Sequence, residues 1–228
     1  MWNQGWDDLF KRKAWGRYPP EDVVRFIARR FFAAPERKTV HILEIGCGPG
    51  ANIWFMAREG FTVHGIDGSA VAIEQATQRL LSENLAADLR VGDAMNLPWP
   101  EASFDAVIDV ECIYANSLPD SQRIIAESLR VLKPGGDFFS KTFATGTTGE
   151  GSGTQIPGEP NTWQNLTAGA FNSGYGIVRF TDESEIPNLY GGLENLTWEQ
   201  SSRTEERGQV VVKEWLISGS KPKEVTQS

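Results

Sequence analysis

The sequence predicts a doubly wound α/β domain built on a mostly parallel sheet. Three observations carry that expectation. Short apolar, β-branched runs alternate with segments of helical periodicity from residue 39 to residue 143, and such alternation marks βαβ units. The runs are densely apolar, as in strands covered on both faces. The first run ends at a glycine-rich turn, Gly46-Cys47-Gly48-Pro49-Gly50, which opens the next helical segment.

Taken in order, residues 1–20 are aromatic and basic: Trp2, Trp6, Phe10, Trp15 and Tyr18 stand among Lys11, Arg12, Lys13 and Arg17. Pro19-Pro20 can open a helix, and Val23, Phe26, Ile27 and Phe31 follow at helical spacing, closed by Pro35. A strand over 39–45 leads through the glycine turn into a helix ending at Glu59, with Gly60 as its stop. A strand over 61–67 precedes a helix over 70–84 that Ser69 can cap. Strands over 87–91 and 104–110 follow, then a helix over 120–132 with Ile125, Leu129 and Leu132 on one face. Pro134-Gly135-Gly136 reads as the turn into a fifth strand over 137–143.

Residues 144–176 break the pattern, with eight glycines and the aromatics Trp163, Phe171 and Tyr175. A loop this long in a compact domain is often functional, and 144–180 is expected to be a substrate lid. Thr181 is expected to cap a short helix from Asp182, and strands over 193–203 and 209–217 flank a hairpin at Glu205-Glu206-Arg207-Gly208. The organisation expected is one domain over 1–228: an N-terminal cap over 1–38, a ligand-binding core over 39–143, the lid, and a C-terminal helix and hairpin over 181–219.

The 228 residues are 40% hydrophobic and 23% charged, which suits one soluble core. No run approaches the length of a membrane span, and the first ten residues, with Asp7 and Asp8, lack the apolar run of a signal peptide. Two cysteines, Cys47 and Cys112, make no disulfide scaffold and fit a cytoplasmic setting. The net charge of −8 divides into +4 over residues 1–38 and −12 over the rest. An acidic body argues against a nucleic-acid partner and leaves a small-molecule substrate, with a monomer or homodimer expected. Two histidines without clustered ligands suggest no metal site.

The chemistry-bearing residues sit at three strand ends. Glu44 precedes the glycine turn, and glycine allows a ligand to approach the backbone closely. Asp67 ends the second strand, where a carboxylate can accept both hydroxyls of a ribose. Asp93 ends the third strand and can accept a proton from an exocyclic amine. Ligands in doubly wound sheets bind outside these carboxyl ends. The turn by itself also suits a dinucleotide, since Ala51 is tolerated in that fingerprint.

The segments HILEIGCGPG, VHGIDGSAVAIEQA, DLRVGDAMNLPWPEASFDAVIDV and LRVLKPGGDF span residues 40–143. In this order they resemble the class I S-adenosylmethionine-dependent methyltransferases. The resemblance implies a Rossmann-like sheet of seven strands with the last inserted antiparallel. It implies S-adenosylmethionine as cofactor and S-adenosylhomocysteine as product. It places Glu44, Gly46, Cys47, Gly48 and Gly50 under the methionine part. Asp67 and Gly68 fall at the ribose, and Asp93, Ala94 and Met95 at adenine. It also makes Lys133-Pro134-Gly135-Gly136 a structural turn.

The end of the fourth strand would face the methyl group. Asp109 is counted with the cofactor residues there, and Glu111, Tyr114 and Asn116 are the candidate catalytic residues. Trp15, Arg17 and Tyr18 of the head and Tyr175 and Arg179 of the lid are the candidate substrate contacts. The segment DVECIYAN stands where base- and glutamine-modifying members carry an Asn/Asp-Pro-Pro-Phe/Tyr tetrad. The function expected is methyl transfer to N, O or C of a small molecule. The alternatives are a protein or RNA methyltransferase, or an inactive cofactor-binding interaction protein.

Overall fold

A computed structural model describes residues 5–171 and 176–223. The central sheet has seven strands: β1 (His41–Ile45), β2 (Thr62–Asp67), β3 (Asp88–Val91), β4 (Phe104–Val110), β5 (Leu132–Phe143), β9 (Glu194–Glu205) and β10 (Val210–Ser220). Their spatial order is β3-β2-β1-β4-β5-β10-β9. The first five run parallel. The last strand of the chain, β10, lies antiparallel to both neighbours, β5 and β9. The expected doubly wound sheet with an inserted antiparallel strand is therefore the fold.

Helices cover both faces because β1 and β4 are apolar on both. On one side α5 (Leu118–Val131) packs Ile124, Ile125 and Val131 against Leu43, Val107 and Phe138. On the other, α2 (Glu21–Phe31) and α3 (Ala51–Arg58) bring Val23, Ile27, Ile53 and Met56 against Ile42, Ala106 and Ile108. The next helix, α4 (Ala70–Ser82), begins where the Ser69 hydroxyl accepts the Ala72 N–H at 3.1 Å, the expected cap. A short helix, α1 (Gly5–Arg12), has Asp7 and Asp8 in its first turn and Lys11 and Arg12 in its last, matching the helix dipole at both ends.

Three elements differ from expectation. The strand β5 starts at Leu132, so Pro134-Gly135-Gly136 lies within it as an irregularity opposite Phe104 and Ala106. It stays in the sheet because the Gly135 N–H donates to the Lys221 carbonyl at 2.9 Å and the Lys221 N–H returns to Gly136 at 2.9 Å. The helix α6 (Ile186–Leu189) is preceded by a turn over Glu183–Glu185 capped by Asp182, not Thr181. Asp182 and Glu185 each accept the other's N–H in a capping box, with the Glu185 carboxylate accepting at 2.8 Å.

The third difference lies in the 144–180 segment, whose residues 144–176 are expected to be loop. The segment forms a small antiparallel sheet, β6 (Thr154–Gln155), β7 (Thr162–Gln164) and β8 (Ile177–Arg179). Leu166, Phe171, Val178 and Phe180 are buried there against Tyr114, Phe143 and Val212. Enough apolar residues lie between the glycines to give the segment its own core.

Candidate active site

The principal cleft opens at the carboxyl ends of β1, β2, β3 and β4 and has a volume of about 390 Å³, within the range of small-ligand sites. Its floor is the glycine turn. Gly46, Gly48 and Gly50 have φ of +62°, +50° and +80°, in the left-handed region that favours glycine. Gly46 also has no room for a side chain, since a Cβ there would fall 2.4 Å from that of Cys112. The turn can therefore be built only with glycine, and it brings backbone to the cleft surface.

Glu44 stands beneath this turn. Its Oε1 accepts the Asn52 amide N–H at 2.6 Å, while its Oε2 is buried without a partner. Burial pushes the Glu44 carboxyl up to about 8; the nearby Asp67 and Asp109 add to the rise and the Asn52 hydrogen bond opposes it. Asp67 bridges two backbone donors: Oδ2 accepts the Gly48 N–H and Oδ1 the Ser69 N–H, both at 2.8 Å. Burial nevertheless raises its pKa. Asp93 is exposed at the mouth, with Oδ1 accepting the Met95 N–H at 2.9 Å. An acid-rich cleft with an unpartnered buried carboxylate oxygen suits a ligand carrying positive charge and hydroxyl or amine donors.

The roof is the head of the chain. Trp6, Phe10, Trp15, Gly16, Tyr18 and Pro20 line the cleft from above. Phe10 is buried, 3.8 Å from the Cβ position of Gly48, and packs edge-on to Trp15 with centroids 5.2 Å apart. Two polar contacts hold α1 on α4: the Gln75 amide donates to the Phe10 carbonyl at 3.1 Å, and the Ser69 hydroxyl donates to Asp7. The head thus folds across the cleft and not on the outside of the sheet.

The far wall follows β4. Glu111, Tyr114 and Asn116 all line the cleft. Glu111 has φ +59°, a left-handed conformation rare for this residue type, held by its N–H donating to the Lys141 carbonyl at 2.9 Å. Tyr114 is buried edge-on against Phe143, centroids 4.8 Å apart. The Asn116 amide donates to the Cys112 carbonyl at 2.9 Å.

Of the expected cofactor residues, Glu44, Gly46, Cys47, Gly48, Gly50, Asp67, Gly68, Asp93, Ala94 and Met95 line the cleft together. Asp109 does not. It is fully buried behind the wall, where Oδ1 accepts the Cys112 and Ile113 N–H groups and Oδ2 accepts the Ser140 hydroxyl at 2.5 Å. It braces the turn after β4, and burial pushes its carboxyl up to about 6.

Among the expected substrate contacts, Trp15 and Tyr18 line the cleft; Arg17 does not, and its carbonyl accepts from Arg79. Arg179 is 1% exposed and pairs with Glu185 at 2.8 Å, away from the cleft. Its charge is consumed by the structure of the small sheet. Tyr175 lies outside the described residues, and no described residue of 144–180 lines this cleft. That segment backs Tyr114 from behind.

Sequence reasoning missed Trp6, Phe10, Asn52 and Lys141 as cleft residues. Lys141 carried a signal, being a lone lysine in the otherwise uncharged run from Phe138 to Phe143.

A family model described as a methyltransferase domain matches residues 42–136. That range holds the glycine turn, Asp67, Asp93 and the end of β4. Residues 42–136 are a class I S-adenosylmethionine-dependent methyltransferase domain. S-adenosylmethionine is the cofactor of this domain, and the cleft fits it. The ligand is a cation with hydroxyl and amine donors, and Glu44 Oε2, Asp67 and Asp93 present acceptors beside a backbone that admits close approach.

Two curated relatives show the same similarity. A 2-methyl-6-phytyl-1,4-hydroquinone methyltransferase of Synechocystis sp. is 40% identical over 42% of this chain and 29% of its own length. A norajmaline N-methyltransferase of Rauvolfia serpentina is 31% identical over 54% of this chain and 42% of its own. The chain therefore spans less than half the length of either. Among solved structures, a methyltransferase from Methanosarcina mazei superposes with a TM-score of 0.65 at 24% identity, over 81% of this chain and 93% of that one, which shows the shared fold.

Proposed function

We propose that this methyltransferase domain moves a methyl group from S-adenosylmethionine to a small-molecule acceptor seated between the aromatic head and the Glu111–Asn116 wall. One observation carries this reading: the head roofs the same cleft that the glycine turn floors, so the candidate cofactor residues and the candidate acceptor wall line one cleft. When bound, the cofactor supplies an already activated methyl group. What the chain's residues must do is hold and align. Glu44, Asp67 and Asp93 hold the cofactor; Trp6, Phe10 and Trp15 exclude water; Tyr114 and Asn116 shape the place where the acceptor is aligned. Alignment of this kind supplies a large part of a displacement's rate.

The enclosed volume favours a small acceptor over a macromolecule, and the hydroquinone and norajmaline enzymes are by name enzymes of small acceptors. Calorimetry with S-adenosylmethionine, followed by transfer of isotope-labelled methyl from it into metabolite extracts, tests the reading. Cofactor binding with a labelled small product supports it. Label entering only protein or RNA overturns it.

A further inference from the structure

The far wall of the cleft holds one charge of its own sign. Lys141 lines the cleft together with Glu44, Asp67, Asp93 and Glu111, and no other lysine or arginine among the described residues lines it. It sits on β5 opposite Val110, beside the turn that carries Glu111, Tyr114 and Asn116. Its side chain is 9% exposed. Asp22 on α2 lines a separate groove between α2 and the β9–β10 strands, and Lys141 does not line that groove. The exposure Lys141 keeps is therefore to the cleft.

The ammonium is loosely held. It stands 3.4 Å from Glu214 Oε2 and 3.5 Å from Asp22 Oδ2, in ion-pair range, yet it donates no hydrogen bond among the described residues. Glu214 Oε2 already accepts from Arg203 at 2.7 Å. Burial pushes the Glu111 carboxyl up to about 8, so at neutral pH that neighbour is mostly uncharged and does not cancel the ammonium. The N–H donors of Lys141 are thus unused at the edge of a buried site, where a charge acts through a low dielectric.

We propose that Lys141 is the specificity residue for the acceptor: its ammonium binds a carboxylate of the molecule that receives the methyl group. This rests on the methyl-transfer reading above. The sulfonium of the cofactor is drawn to the acids of the floor, and a second molecule carrying one negative charge is drawn to the one cation of the far wall. Charge thereby sorts two ligands within one cleft. A carboxylate suits the place better than a phosphate. A single ammonium flanked by Asp22 and Glu214 answers one negative charge, and a phosphate monoester brings nearly two. The aromatic roof covers the apolar remainder of the acceptor. The anionic contact that Arg179 does not supply falls to Lys141.

The test uses the full chain saturated with S-adenosylhomocysteine and three carboxylates, benzoate, phenylacetate and 2-naphthoate, each beside its carboxamide. Acid and amide have nearly the same shape and differ in charge. NMR titration reads each dissociation constant. At least one acid is expected to bind, and to bind at least about tenfold more tightly than its amide, the size of a hydrogen bond to a charged group. In Lys141→Met that preference is expected to vanish while S-adenosylhomocysteine affinity stays unchanged; Lys141→Arg keeps the charge and should keep most of the preference. If the methionine variant fails to fold, the Lys141 Cε resonance, assigned by its loss in Lys141→Arg, is followed in the wild type, where it must move with acid and not with amide. No acid bound, acid and amide bound alike, or an acid preference that survives in Lys141→Met overturns the proposal. Weaker S-adenosylhomocysteine binding in Lys141→Met gives Lys141 to the cofactor's own carboxylate and overturns it as well. Absent S-adenosylhomocysteine binding by the wild type is a different failure: it sinks the methyl-transfer reading, and the acceptor site with it.

Discussion

The Asp67 carboxylate accepts the Gly48 N–H at 2.8 Å, tying the end of β2 to the glycine turn after β1. Asp67 therefore has two tasks. It offers its remaining lone pairs to the cleft, and it fixes the turn that forms the cleft floor. Loss of a hydrogen bond to a charged group costs roughly 1.5–3 kcal/mol. Asp67→Ala is expected to weaken S-adenosylmethionine binding by at least about 2 kcal/mol, since turn and contact go together. Asp67→Asn should lose less, because its one oxygen can still serve either task. Calorimetry on folded variants decides it, and full affinity in the alanine variant removes Asp67 from the site.

Glu44 is expected to make cofactor binding pH-dependent. In the free protein burial holds its pKa at about 8, so at neutral pH it is mostly protonated. A cationic ligand favours the ionised form, so binding at pH 7 should release protons. Calorimetry in buffers of different ionisation enthalpy reads that number directly. Glu44→Gln should abolish most of the release. A wild type that releases none would show that Glu44 does not face the cofactor's charge.

The same groups set how stability varies with pH. The folded-state pKa values of Glu44 and Glu111, about 8, and of Asp109, about 6, lie above the ordinary carboxylate values. Between the two limits the folded chain binds more protons than the unfolded one, so this stability is fully present below about pH 4.5 and is lost as pH rises through about 8. Tm of the free chain should therefore fall by at least about 5 °C between pH 6 and pH 8.5, given roughly 2–4 °C per kcal/mol for a domain of this size. Saturating S-adenosylmethionine should flatten the slope. A Tm that rises over this window would contradict the burial of these acids.

The roof meets the central sheet mainly through Trp6, which packs on the core at Phe143 and Val212. Phe10 packs over Gly48, but the two cores flanking the sheet contain no residue of α1. Phe10→Ala is expected to leave the fold intact and raise the dissociation constant of S-adenosylmethionine roughly tenfold, about 1.4 kcal/mol. Removing residues 1–18 should do more. A head-deleted chain that binds cofactor normally would show the roof to be ornamental.

The parts of the site read correctly from sequence are those whose geometry is local. A glycine turn after an apolar strand, the Ser69 cap and Asp67 two residues before it depend on neighbours in the chain, and β4 occupies the 104–110 span expected of it. The parts missed depend on distant packing. Lys141 becomes a cleft residue only because β5 lies beside β4, and Phe10 only because Gln75 and Ser69 receive α1. Residues 144–180 misled for a different reason: glycine frequency reads as loop, whereas Leu166, Phe171, Val178 and Phe180 gather into a core only when the small sheet forms.

Arg179 illustrates that last point and can be tested against its first reading. A lone arginine beside a glycine-rich segment looked free to meet an anionic substrate. Instead it is buried, donating to Glu185 at 2.8 Å and to the Thr181 hydroxyl at 3.2 Å, between β8 and the cap of α6. Its removal leaves Glu185 without its cation and opens a gap at a fully buried position. Breaking a fully buried pair costs about 3–5 kcal/mol. Glu185 keeps some contact with solvent, 22% for its side chain, so about 2 kcal/mol is the better expectation here. Arg179→Ala should therefore lower the urea midpoint while leaving S-adenosylmethionine affinity within about 0.5 kcal/mol, since changes at separate sites act independently. Arg179→Lys should recover only part of the loss, because an ammonium lacks the planar fork that reaches both partners. A variant of normal stability that binds an anionic acceptor more weakly would return Arg179 to the substrate site and require the small sheet to swing toward the cleft.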